Sequence, residues 1–446
     1  MNMTIPQGKS SLEKTDLNIG FIPLTDCAPL IIAHEKGFYE KYGLNVTLSK
    51  ETSWANIRDK VAIGILDAAQ MLAPMPLAMT LGLDAIHKPM LTALSLDLNG
   101  NAITVSNQLH EQMLATSPEH MQSRVKNVHA LKAVIETNKK SSKAPLTFAV
   151  VYPFSTHNYQ LRYWMESAGI NPDTDVNLVV VPPPQMPGQL EDGNIDGYCV
   201  GEPWNSMAVD NRIGHTLITS YEIWNNGPEK VLGVTEEWAM QNPETHKALL
   251  MALLEACQWV DEQKNRIEVS NIISQGVYVN APEHIVRLSM SNMYQYSKDK
   301  MPESLPSFNV FNRYAANYPW RSHAEWFLSQ MICWDQITQP VDIKDIANNV
   351  YRPDIFSQAT ANLGWNTPDI DRKTEGLNHH EHMEGNTLLG PDIFFDNKVF
   401  DSNHIADYLQ QFHNTQSKNP LAMLMPAKSK KVELSELKNK DIDRIS

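Results

Sequence analysis

The residues best suited to holding a small ligand are Trp54, Asn101, His157 and Lys230. They supply an indole N–H, a carboxamide, an imidazole and an ammonium group, all of which donate hydrogen bonds. A site built from them would hold an anion rather than transform it. Trp54 follows Ser53 at a strand-to-helix turn. There Ser53 can cap the helix, and the indole can wall a cleft or simply pack a lobe. Asn101 closes the trio Asn99-Gly100-Asn101. The trio reads as a tight hairpin turn, or as an amide and backbone N–H groups offered to anion oxygens. His157 follows Ser155 and Thr156 at the start of a helix whose Leu161, Trp164 and Ala168 face the core. A helix start and an imidazole can both hold an anion, and partial protonation near neutral pH would tune the affinity. The plainer alternative is an exposed histidine. Lys230 lies in Gly227-Pro228-Glu229-Lys230, entering the strand VLGV. A lone lysine is ordinarily a solvated surface charge.

Neighbouring polar residues read as structural. Asp26 is placed to cap the helix after it, and in Gly201-Glu202-Pro203-Trp204 the proline stiffens a strand while Trp204 packs at a hinge. His379, His380 and His382 could hold a metal, but a short His-rich loop is more often just polar. There is no GxxxxGKS/T, GxSxG or HExxH, and no carboxylate pair stands out. Catalysis therefore finds no support, and neither does a cofactor or a metal.

These groups must be positioned by elements far apart in sequence. Residues 17–23 (LNIGFIP) alternate like a buried strand, a helix follows, and residues 44–48 (LNVTL) form the next strand, the spacing of a βαβ unit. A helix over 54–66 and a strand over 68–72 continue the series. Residues 94–106 read as strand, Asn-Gly turn, strand. A second series starts at residues 146–151 (LTFAVV), with a helix over 157–168 and strands at 176–181 and 197–201. Residues 245–264 show the three-four apolar spacing of an amphipathic helix, and residues 265–370 stay mainly helical. The tail is looser, with a hairpin predicted in IFFDNKVF. Two strand–helix series imply two α/β lobes with a cleft between them, ligands lying at strand C-termini near helix N-termini.

Composition sets further bounds. The chain has 446 residues, 42% of them hydrophobic, enough for two or three compact units. The formal net charge of −14 argues against binding nucleic acid or an anionic membrane, but not against a local anion site. Cys27, Cys199, Cys257 and Cys333 are scattered, without a CxxC pair or zinc spacing, and read as reduced buried thiols. The opening MNMTIPQGKSSLEKTDLNIGF has no apolar signal-like region, and no stretch approaches a membrane span. A cytoplasmic location is the expectation; a periplasmic one is the alternative.

Several segments together carry a resemblance. LNIGFIPLTDCAPLIIAHEKGFYEKYGLNVTL, AAQMLAPMPLAMTLGL, NGNAITVS, VVPPPQM, GEPWN, PEKVLGVTEEW and GPDIFFDNKVFD resemble, in order, the nitrate/nitrite/bicarbonate solute-binding (NrtA/CmpA-like) family, over roughly residues 17–410. The resemblance implies a type II periplasmic-binding-protein fold and a ligand site at Trp54, Gly100, Asn101, His157 and Lys230. The family has a ligand-contacting tryptophan where Trp54 stands and often glutamine where Asn101 stands. It has lysine at the Lys230 position in nitrate binders, and glutamate assisting a calcium ion in bicarbonate binders. Lysine thus implies nitrate or nitrite. The expected division is a tail (1–16), lobe 1 (17–104), lobe 2 (105–204), a return to lobe 1 with a helical part (205–370) and a C-terminal extension (371–446). With no signal-like start, the chain is most similar to the cytoplasmic NasS-type nitrate sensors, which hold an antiterminator protein and release it when anion binds. The alternative is the receptor of a nitrate ABC permease; an enzyme on the same fold fits least.

Overall fold

The computed structural model describes residues 11–413 and 415–425. Eleven strands matter for the site: β1 (Asp16–Phe21), β2 (Asn45–Lys50), β3 (Ala68–Leu72), β4 (Met90–Ser95), β5 (Leu98–Asn99), β6 (Asn101–Ser106), β7 (Thr147–Val150), β8 (Asn177–Val180), β9 (Gly197–Gly201), β10 (Gly214–Thr219) and β11 (Lys230–Thr235). They build two five-stranded sheets, ordered β2-β1-β3-β11-β4 and β8-β7-β9-β6-β10. Each sheet has three parallel strands, then a strand running antiparallel to its neighbours. That antiparallel strand, β11 or β6, is the one that enters from the other lobe. β3, β4, β9 and β11 are buried along their whole length. They are covered on both faces, so they read as continuous apolar runs rather than alternating ones.

The strand–turn–strand over 94–106 is not a hairpin. β4 and β6 belong to different sheets, and the Asn-Gly pair turns the chain from one lobe to the other. Asn99 and Gly100 take φ of 65° and 90°. A Cβ on Gly100 would lie 2.7 Å from Asn309 Oδ1, so a side chain is excluded there. β5 pairs on the way with Asn309 and Val310. The lobe limits expected at 104/105 and 204/205 therefore shift: all of β6 belongs to the second sheet, and β10 remains there too. The crossings lie within 96–100 and 220–229. Partners more than ninety residues away decide this, and local periodicity cannot show them.

Between the lobes run further links. Thr25 N donates to Glu202 O (2.8 Å), and Trp204 Nε1 donates to Pro23 O (3.0 Å). Trp204 thus ties the lobes, as its expected structural role requires. The helix Arg321–Cys333 is almost wholly buried and lays Trp326 and Phe327 against Tyr163 and Tyr159 of the helix Thr156–Ser167. Segment 393–400, predicted as a hairpin, instead packs Phe394 on Trp224 (4.6 Å) and Phe400 on Tyr408 (5.1 Å). The hairpin of this region is His382–Glu384 with Thr387–Leu389, while His379 and His380 are exposed.

Candidate functional site

Each lobe contributes a capped helix start. Ser53 Oγ accepts from Asn56 N at 3.2 Å, making Trp54 the first residue of the helix Trp54–Ala62. Ser155 Oγ accepts from Asn158 N at 3.0 Å and sets His157 as the second residue of its helix. Both side chains are buried. Trp54 Nε1 and both His157 ring nitrogens lack a hydrogen-bond partner among the described residues. Buried polar nitrogens are nearly always satisfied, so three unpartnered ones on two capped helix starts single this place out as a candidate ligand site.

Lys230 opens β11 and is fully buried. Its Nζ lies 2.7 Å from Asp26 Oδ2, 2.5 Å from Glu229 Oε1 and 5.5 Å from the Trp54 ring centroid. Asn101 opens β6; its Nδ2 donates to Glu229 Oε2 at 2.5 Å, while Oδ1 has no partner among the described residues. His157 Nδ1 stands 3.4 Å from Glu229 Oε1. Trp54, Asn101, His157 and Lys230, spread over nearly 180 residues of sequence, therefore meet around Glu229 and the start of β11. Gly100 sits beside them and contributes backbone only, its Cβ direction taken up by Asn309 and Asp97.

The electrostatics follow from one ammonium among three buried carboxyls. Asp97 Oδ1 accepts from Lys230 N at 2.9 Å, and Asp97 is fully buried. Burial raises the pKa values of Asp26, Asp97 and Glu229 above the usual carboxylate range, with Lys230 opposing the rise. For Lys230 burial acts the other way, but the three carboxyls outweigh it and hold the amine protonated. His157 is driven well below its ordinary value, by burial first and then by Lys230. It is therefore a neutral imidazole, and the 3.4 Å approach to Glu229 is not an ion pair. This corrects the expectation of partial protonation near neutral pH. A neutral ring still keeps one N–H for a ligand.

Two further expectations change. Asp26 is not a helix cap: it lies in the short turn Thr25–Cys27 with no capping bond, and its carboxylate receives Lys230 and Gln70 Nε2. Gln70 in turn accepts Ile22 N at 2.9 Å, fixing the loop that carries Asp26. Glu229, Gln70 and Asp97 went unremarked in the sequence. The only local signal was Glu229-Lys230 ahead of an apolar strand, where two adjoining charges would both have to be buried. Lys230 itself is no solvated surface charge.

The NMT1-like family matches residues 10–274. Over 408 residues the chain is 42% identical to the nitrate import ATP-binding protein NrtC of Synechocystis sp., covering 91% of this chain and 56% of that protein. The chain thus spans about half the length of that relative. It is 35% identical over 404 residues to the nitrate/nitrite binding protein NrtA of Nostoc sp., covering 89% of this chain and 86% of the relative. The crystal structure of the periplasmic nitrate-binding protein NrtA from Synechocystis PCC 6803 superposes with a TM-score of 0.80 at 30% identity, covering 91% of this chain and 100% of that one. Two mixed α/β lobes around a buried cleft are the architecture of the type II periplasmic-binding-protein fold. The chain belongs to the NMT1-like family and, within it, is similar to the nitrate- and bicarbonate-binding proteins.

Proposed function

We propose that this protein binds nitrate or nitrite in the cleft between its lobes, as the solute-binding component of an ABC-type importer, and performs no chemical conversion. The observation that carries this is the protonated Lys230 among unpartnered donors of Trp54 and His157 and the Asn101 carboxamide. A small planar monovalent anion matches one buried ammonium and in-plane N–H donors. The names of the relatives support nitrate and a transport role, and the description of the matched structure favours the periplasm over the cytoplasm. An ABC permease and its ATPase are then the partners. No described helix is long and apolar enough to cross a membrane.

A second reading is sensing of the same anion rather than import. The relative with 42% identity is named an ATP-binding protein, whereas this chain has no GxxxxGKS/T. In that reading anion binding would release an antiterminator partner. Calorimetric titration with nitrate, nitrite and bicarbonate, with and without calcium, tests the ligand. Nitrate or nitrite should bind without calcium. Tight calcium-dependent bicarbonate binding, with nitrate silent, would overturn the reading. Retention of an antiterminator without nitrate and its release with nitrate would favour sensing over import.

A further inference from the structure

The donors gathered for an external anion already share an acceptor, and it belongs to the chain. Glu229 Oε1 takes Lys230 Nζ at 2.5 Å and lies 3.4 Å from His157 Nδ1; Oε2 takes Asn101 Nδ2 at 2.5 Å. Three of the four side chains read as ligand groups thus converge on one carboxylate, itself fully buried. A carboxylate is planar, carries one negative charge and offers two oxygens to in-plane donors, as nitrate does. We propose that Glu229 is an internal occupant of the anion site: an entering anion displaces its carboxylate from Lys230, Asn101 and His157, and Glu229 takes up one proton from solvent as it leaves.

This rests on the anion reading above and adds its control. The proton follows from the charges that face Glu229. Asp26, on the loop after β1, shares the same Lys230 ammonium. Asp97, on the first crossing, holds the Lys230 backbone, and its carbonyl receives Glu229 N at 3.4 Å. From the second lobe come His157, kept neutral, and Cys199 on β9, whose thiol burial keeps protonated. Among the described residues Lys230 is thus the one cation facing the group. An external anion beside an ionised Glu229 would leave that ammonium among four negative groups, out of water. Releasing Glu229 as the neutral acid removes one of them. Burial already raises its affinity for that proton.

The test uses the full chain and sodium nitrate. Wild-type protein and Glu229→Gln are titrated by calorimetry between about pH 6 and about pH 8, in two buffers of different ionisation enthalpy. The wild type should take up a proton with nitrate, its affinity falling by up to ~10-fold per pH unit as pH rises. Glu229→Gln should bind nitrate ~10-fold or more tightly than wild type near pH 8 and take up no proton. A wild type that binds nitrate without proton uptake overturns the proposal, as does a folded Glu229→Gln that binds no tighter. If that variant fails to fold, the proton count on the wild type decides alone. Failure of both chains to bind nitrate at any pH would instead refute the anion reading, and this proposal with it.

Discussion

Replacing Lys230 by methionine keeps an unbranched side chain only one atom shorter and removes its charge. At 2.7 Å from Asp26 and 2.5 Å from Glu229, each pair has a gross attraction of roughly 6 kcal/mol at an effective dielectric near 20. Desolvation of the buried ammonium cancels much of this, but the two carboxyls left without a cation bear their own burial cost. Breaking a buried pair from one side destabilises by about 3–5 kcal/mol, and we expect Lys230→Met to fall in that range at neutral pH. Urea unfolding followed by fluorescence reads the loss. Adding Asp26→Asn keeps an oxygen for Gln70 and removes one orphaned charge, so the double variant should regain about 2 kcal/mol. The loss should also shrink as pH falls. The orphaned carboxyls have folded-state pKa values raised above their unfolded ones. Such groups contribute stability below the unfolded value and lose it as pH rises through the folded one. A Lys230→Met chain within about 1 kcal/mol of wild type at neutral pH, or one whose deficit grows on acidification, would refute this account of the cleft.

Other perturbations separate fold from ligand. Trp54→Phe keeps an aromatic ring but gives up volume at a buried site, while removing an N–H that has no partner among the described residues; the two effects oppose each other, so stability should stay within about 1 kcal/mol of wild type. Nitrate affinity should meanwhile drop ~10-fold, close to 1.4 kcal/mol, in the same calorimetric titration. Ser155→Ala removes the cap behind His157 and should cost about 1 kcal/mol in urea unfolding while also weakening nitrate binding. Asp392 is buried beside Lys373, and burial pushes its carboxyl up to about 6. It therefore stabilises most below its unfolded pKa and loses up to roughly 3 kcal/mol as pH rises through the folded one. Asp392→Asn should flatten that part of the stability profile; parallel profiles for the two chains would exclude it.

Much of the local structure was legible in the sequence. The strand β1 follows from period-two alternation, the strands β7 and β9 from short apolar runs, and the capped start at Ser53 from a hydroxyl residue ahead of a helix. Such features depend on groups within a few residues, and local order reveals them. Trp54, Asn101, His157 and Lys230 were named from donor chemistry and a family resemblance, and the fold brings them to one place. The Asn99-Gly100 turn was recognised as a turn but placed in a hairpin, because its φ values suit either and only β6 pairing with β9 and β10 chooses. Segment 393–400 failed similarly, since its aromatic residues satisfy a strand pattern yet bury themselves on Trp224 and Tyr408.

Residue types by themselves determined that this protein could present an indole, an imidazole, an amide and an ammonium to a small anion. What those groups face was decided only when both lobes folded. Asp26 and Asp97 stand 204 and 133 residues before Lys230 while Glu229 directly precedes it, and nothing in that spacing assigns them a common ammonium. Burial then reset their protonation, keeping Lys230 charged, His157 neutral and the carboxyls avid for protons. The physical reason is that charge in a cleft is governed by distance and desolvation, and both are properties of the assembled fold.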